Sequence, residues 1–511
     1  MRVAIETFRT RLLWSPAAVL RVGCAALLLC FNGCGGGGGG TSPSSSTPAQ
    51  APTPAPGATQ PPAAPAALVV GTALSIDAGA SGNPVGLRVA RSANGDGFAV
   101  WQADDGTRRN LWANHYRAAA AAWGTPMPIE ASSTDIDDFD LTADASGNAV
   151  VVWHERPDPQ VCCGIVMSAR FDAGALAWAA PVSLSTDGIQ PRVASDATGA
   201  VLAVYVAVGG HLVRGRFFDP ASGIWQAEAA IEQNNTATGF SFDPVALLDG
   251  SGNALAAWPN GRTGAGGVAS NYFSRSEGAW VFQLPPNQTD LLGGVPGSFT
   301  SSGSPHNVQV AATAGGNFLL AWETTPFDDP ENSSDIRIAR FTTGTRTWSA
   351  AQTLVPSNGQ GIQFQRVGSD GGGNALLLWT ERDAMRTALK AIRVFQASCS
   401  AVQVIDSAVG GGAARADLGV DALGNAIAIW QQFEGGSPDD GSRSNIAVNR
   451  FDRAAGAWAS AVFAETQPGN AIDPRASATA GQALLGWIQA EDGANRVKAL
   501  LQPLDDMTAG R

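Results

Sequence analysis

The chain is poor in charge and in the side chains that most often carry chemistry. Of 511 residues only 15% are charged, and there are four histidines, three tyrosines and six cysteines. Little charge beside 61 glycines and 30 prolines disfavours coiled coils and long charged helices. Lysine and arginine number 32 against 44 acidic residues, a formal net charge of −12. A nucleic-acid partner is excluded on that balance, because neutralising phosphates needs a basic face. His115, His154, His211 and His306 are scattered and the cysteines lack zinc-site spacing, so neither a metal nor a cofactor is implied. What the sequence has instead is an apolar N-terminal run, a low-complexity stretch and a long internal repeat.

Arg2, Arg9, Arg11 and Arg21 precede the run VGCAALLLCF at 22–31, too short for a permanent membrane-spanning helix. The run ends in Phe31-Asn32-Gly33-Cys34, followed by glycines 35 to 40. This resembles the lipobox of bacterial lipoproteins. The resemblance implies a signal peptide over 1–33, a lipid on Cys34 as the membrane anchor and, with Gly35 next, an outer-membrane address facing either periplasm or surface. An ordinary secretory signal cleaved nearby is the other reading. Residues 34–67, rich in Gly, Ser, Pro and Ala, have no apolar periodicity and read as a disordered tether. In the mature chain Cys162 and Cys163 are adjacent and placed to close a vicinal disulfide in an oxidising compartment, and Cys399 is expected to be a buried thiol.

From about residue 68 to 505 one pattern recurs. Its anchors are Trp101, Trp153, Tyr205, Trp258, Trp322, Trp379, Trp430 and Trp487, spaced 51 to 64 residues apart. A glycine stands six residues before every anchor, and Asp stands nine before in five copies: Asp144, Asp196, Asp249, Asp370 and Asp421. Asp folds its carboxylate onto turn amides and glycine supplies a positive φ, so the stretch reads as a hairpin and these carboxylates as turn formers. The runs AVVVW, AIAIW and ALLLW are apolar at consecutive positions, as in a strand buried on both faces. Two more strands complete each copy. A four-stranded unit of this size buries neither face alone, so the units must stack, and radial stacking is a β-propeller. The eighth copy stops after three strands, while residues 70–77, just past the tether, match the missing fourth. The expected fold is therefore an all-β, eight-bladed propeller of antiparallel blades, closed by its N-terminal strand. The turns Asp144-Ala145-Ser146-Gly147-Asn148 and Asp421-Ala422-Leu423-Gly424-Asn425 resemble the exported bacterial propeller repeat of Asp-x-x-Gly-Asn type, a resemblance specific for fold and silent on activity.

Two constellations stand out as candidate ligand sites. Thirteen residues before the anchors, where the innermost strands begin, stand Arg88, Asp140, Arg192, Val245, Gln309, Arg366 and Asp417, with Arg475 in the eighth copy. Around a closed ring these side chains crowd the channel mouth. They form either a self-satisfied ion-pair ring or a set of guanidiniums for a carboxylate or phosphate. The loops between second and third strands are acidic, and two copies share a phrase, Trp153-His154-Glu155-Arg156 and Trp379-Thr380-Glu381-Arg382. Those loops are either a solvated rim or a face for a cationic partner.

Three functions follow. A non-catalytic binding or scaffolding lipoprotein, with an envelope protein or a glycan on the variable-loop rim, resembles in outline the eight-bladed lipoprotein that helps assemble outer-membrane proteins. A sialidase-like enzyme would use the arginines, but its Ser-x-Asp-x-Gly-x-x-Trp box is absent and Tyr116, Tyr205 and Tyr272 sit at framework positions. A quinone-dependent dehydrogenase resembles the chain only in blade number and in Cys162-Cys163. The first is the expectation.

Overall fold

The computed structural model describes residue 65 and residues 68–504, apart from 131, 158–163, 210–211, 233–238, 263–264, 282–302, 327–333, 371, 384, 408, 437–439 and 480. Cys34, Cys162 and Cys163 lie outside the described residues, as do the leader and nearly all of the tether. Among the described residues there are strands and short 3-10 turns and no α-helix.

The repeated hairpin forms as its chemistry requires. In the second unit Asp144 Oδ1 accepts the amide hydrogens of Ser146 (2.8 Å) and Asn148 (3.0 Å), and Asn148 Nδ2 donates to Asp144 Oδ2 at 2.7 Å. Asp249 and Asp370 repeat the same three bonds. The turn glycines, Gly95, Gly147, Gly199, Gly252, Gly316, Gly373, Gly424 and Gly481, have φ between 72° and 97°, where an L side chain is strained. At Gly147 a Cβ would also lie 2.4 Å from Asn94 Nδ2.

Each hairpin joins a first strand to a second. The first strands are Asn83–Arg91, Asp135–Ala143, Val182–Ser195, Val245–Leu248, Gly303–Thr313, Ile362–Ser369, Gly412–Val420 and Ala471–Thr479. The second strands, such as Ala149–Arg156 and Ala375–Arg382, are buried at seven consecutive positions, so both faces are covered. All eight anchor aromatics lie within them and are at most 3% exposed. Truncating a core aromatic of this size costs on the order of 3–5 kcal/mol.

Seven hydrogen-bonded sheets result among the described residues. Six hold one unit each; the ninefold one holds two, because Val182–Ser195 runs on from the outer strand of the second unit into the first strand of the third. The two chain ends meet. Leu74 lies opposite Ala499 and Ser75 opposite Lys498, and Ile76 N–H donates to Val497 O at 2.9 Å. The N-terminal strand is thus the outer strand of the last sheet, as its sequence match to the missing fourth strand predicts. Every consecutive pair of units shares a hydrophobic cluster. The eighth shares one with the first, where Leu484, Ile488 and Val497 pack with Leu87, Ala99 and Trp101. The first strands likewise touch in succession, and the eighth touches the first. The architecture is all-β, antiparallel and propeller-like.

One expectation fails. Cys399 is a free, exposed thiol. It bridges to Val394 in the turn between the third and fourth strands of the sixth unit, the position that Trp178 and Trp458 hold against Phe171 and Phe451 in other units. That edge of the unit is open to solvent, so the thiol is too.

Candidate functional site

The first strands begin with a device that the fixed spacing of the repeat does not reveal. In seven of the eight the pairing with the second strand slips by a bulge, directly before the ring position in five and three residues before it in the first and second units. Gln190, Asp243, Asn307, Arg415 and Asp473, two residues before that position, take positive φ between 41° and 53°. A bulge leaves an extra residue unpaired and re-aims the side chains beside it. Here the re-aimed groups reach the neighbouring unit.

The ring residues are brought together as expected, and most are paired. Arg88 Nε lies 3.8 Å from Asp140, and the guanidinium stacks over Phe139. Arg192 Nη1 donates to Asp138 Oδ2 at 2.7 Å, and Arg366 Nε donates to Asp417 Oδ1 at 2.6 Å. Arg475 pairs with Asp473, and its Nε donates to Leu87 O of the first unit at 2.9 Å. The second carboxylate oxygens serve the backbone: Asp140 accepts Val193 N–H, Asp417 accepts Ala476 N–H, each at 3.0 Å, and Asp473 accepts Leu87 N–H at 2.6 Å. Gln309 does the same for Val367 N–H at 3.0 Å, and Gln365 for Ala416 N–H at 3.1 Å. In each case the acceptor stands on one unit and the amide on the next. Sequence reasoning missed Asp138, Asp473 and the exposed Arg415, which are offset by two residues from the ring. The one available signal was polarity at that offset.

Electrostatics tie these groups to one shared space. Arg366 responds to Asp417 first, and also to Asp140 and Arg192 of the second and third units. Burial acts against the charge of Arg192, but Asp138 and Asp140 outweigh it and raise its pKa. Arg475 is pushed down to about 10, by burial and then by the nearby Arg88. Burial would raise the Asp417 carboxyl, yet Arg366 and Arg475 hold it below the usual range. Arg366 keeps 40% of its side chain exposed, with its Nη groups beyond the Asp417 contact.

The shared Trp-x-Glu-Arg phrase is a clasp. Trp153 Nε1 donates to Glu155 at 3.0 Å, and Ser132 and Thr134 hydroxyls donate to the other oxygen at 3.2 Å. Trp379 Nε1 donates to Glu381 at 3.1 Å, with Asn358 and Lys390 each at 2.7 Å. Burial would raise Glu381, but Lys390 and Trp379 outweigh it and lower its pKa. Both carboxylates are buried, not presented on the rim. Arg156 pairs with Asp137 at 2.6 Å, and Arg382 is exposed at the strand end. Of the other described loop acids, Asp105 accepts Thr107 and Arg108 amides and Asp383 those of Met385 and Arg386, each within its own turn. Among the described residues no cluster of three or more His, Cys, Asp or Glu is placed to hold a metal ion.

No known protein family matches the chain, and neither does any curated protein. Among solved structures the chain is similar to the polysaccharide lyase Uly1 (10% identity, TM-score 0.48, covering 84% of this chain and 91% of that one). It is also similar to the Dos1 propeller (9%, 0.46, 85% and 95%) and to a protein of unknown function from Dyadobacter fermentans (12%, 0.42, 86% and 100%). These likenesses assign no activity to this chain.

Proposed function

We propose that the chain is an eight-bladed β-propeller closed by its N-terminal strand, lipid-anchored to the outer membrane through Cys34, and that it binds rather than transforms. Its occupant is an envelope protein or a glycan, held on the face where the first strands begin and the second-to-third-strand loops emerge. Antiparallel pairing supports that common face, since Asn83 at the start of a first strand lies opposite Asp104 at the end of a second. The eight clusters between units and the pairing of Leu74 with Ala499 support the count and the closure.

The observation that carries the binding reading is how the channel uses its carboxylates. An acid or base catalyst titrates near its working pH and reaches a proton on the substrate. Asp140 and Asp417 instead accept backbone hydrogens from the next unit, and Asp417 is held ionised between two guanidiniums. What remains for a ligand is cationic: the half-exposed guanidinium of Arg366 and the exposed Arg415. These suit a carboxylate or phosphate on the partner.

Crosslinking in the native membrane, followed by mass spectrometry, tests the reading. The Arg88→Gln, Arg366→Gln double variant, whose amides can still donate to Asp140 and Asp417, should lose the captured partner while still unfolding in one cooperative thermal transition. Unchanged capture would leave the ring a purely structural device. Turnover of sialosides or polyuronates by the purified protein would replace binding with catalysis.

A further inference from the structure

One joint between units departs from the repeat at three places at once. On the third strands of the first, fourth and seventh units, Asn114, Asn271 and Asn449 donate side-chain amide hydrogens across the joint. Their acceptors are Ile76, Ile231 and Ile405 O, on the outer strand of the preceding unit, at 2.7, 2.8 and 2.8 Å. The third unit alone has a charged residue at that position, Arg216 opposite Ala203, where the remaining units have Ala169, Ala339, Ile392 and Leu500. The corresponding carbonyl is Leu184 O. It faces the hydroxyl of Tyr205, the one anchor that is not tryptophan, at 3.3 Å. An acid follows the carbonyl residue elsewhere, as in Glu130, Glu232 and Glu465, and accepts a third-strand amide. Here that residue is Ser185.

Smaller and differently aimed side chains leave a cavity of about 540 Å³, lined by Ser183, Thr186, Asp187, Arg214, Arg216 and Glu228 among others. Small-ligand pockets span roughly 300–1,000 Å³. The cavity lies along the third strand and the outer strand, away from the first-strand ring. Its hydrogen-bonding account is unbalanced. Both oxygens of Glu228 are engaged, one by Tyr205 Oη at 2.7 Å and one by Arg214 Nη1 at 3.2 Å. Asp187 Oδ2 accepts Gly209 N–H at 2.9 Å. The Arg216 guanidinium acts on the Tyr205 hydroxyl, but its Nε is buried without a partner. A buried donor left unmade is costly, more so on a charged group, and an anionic acceptor is what it lacks. The Ser183 and Thr186 hydroxyls and the Asp187 carboxylate complete a polar wall that exchanges hydrogen bonds readily with alcohols.

We propose that this cavity binds a monosaccharide-sized polyol bearing one carboxylate, a uronic-acid unit, with the carboxylate on Arg216 and the ring hydroxyls on Ser183, Thr186 and Asp187. The site is independent of the channel mouth.

Titration calorimetry on the full chain with D-glucuronic acid, D-glucose, glucose 1-phosphate and acetate tests it. Glucuronic acid should bind at least about tenfold more tightly than glucose or acetate, the scale of one charge-assisted pair. Arg216→Asn, which installs the residue of the first, fourth and seventh units, should weaken glucuronic acid about tenfold or more. Arg216→Lys should fall between, keeping charge but losing the fork. The Arg88→Gln, Arg366→Gln variant should bind glucuronic acid unchanged, so failure at the channel and failure here are separable. Equal affinity for glucose, tighter binding of glucose 1-phosphate, no binding at all, or an Arg216→Asn protein that binds as well as the parent would each overturn the proposal.

Discussion

The first-strand ring and the cavity beside Tyr205 are both built from arginines and carboxylates, yet their groups are committed differently. In the ring Asp140, Asp417 and Asp473 are each shared between a guanidinium and an amide of the next unit. In the cavity Glu228 is shared between Tyr205 and Arg214, while Arg216 Nε is left over. The contrast teaches that conspicuous charge is a poor guide to ligand sites in a repeat protein. Charge recurring around the ring, at six of its eight positions, is part of how the units hold one another. Charge appearing once, where the repeat calls for something else, has no such employment.

The strongest way to break the comparison is to remove a ring carboxylate. Asp417→Ala leaves Arg366 without its partner and Ala476 N–H without an acceptor, with Arg475 nearby. With Arg366 partly solvated, the stranded amide and the lost pair together cost about 2–4 kcal/mol, read from urea unfolding. Asp417→Asn should cost less, because its amide oxygen still accepts from Ala476. The folded pKa of Asp417 is depressed, so its contribution is present above the unfolded value and is lost as pH falls through the folded one. The Asn variant should therefore lose part of the acid-induced fall in stability.

A smaller effect sharpens the comparison at the joints. Asn449→Ala strands the carbonyls of Ile405 and Ala459 and should cost about 1–3 kcal/mol. Arg216→Asn at the equivalent position should change stability by no more than about 0.5 kcal/mol in the same unfolding experiment. A large loss there would mean that Arg216 also holds units together. The smallest effect concerns His154, buried with Nε2 unpartnered, next to the ring acids Asp137 and Asp138. Burial lowers its pKa in the folded state, so its neutral form gives stability above the unfolded value, and this is lost as pH falls towards the folded one. His154→Gln should flatten the decline in melting temperature between roughly pH 7 and 5.

Repetition explains what was readable beforehand. Eight copies of the glycine-anchor spacing exposed the hairpin, the doubly buried second strand and the orphan strand at 70–77, because chance does not repeat itself eightfold. The ring residues Arg88, Asp140, Arg192, Arg366, Asp417 and Arg475 were found by the same counting. Two of their partners were not, since a bulge shifts side chains without changing the count; Asp138 and Asp473 became visible only with the pairing register. Glu155 and Glu381 were misplaced on the rim because the partner that turns them inward is the tryptophan two residues before. The Tyr205 cavity was hidden for the opposite reason: it consists of exceptions, and Ser185 and Arg216 are exceptions only once their equivalents in other units are aligned in space.

The pairing of Leu74 with Ala499 joins residues from opposite ends of the polypeptide. Until both are in place, Ala494–Pro503 has one bare flank, a row of unsatisfied amides and carbonyls ready to template a foreign strand. Deleting Leu74–Ser75 would thus leave an adhesive edge, and a population of dimers or larger aggregates would be its signature.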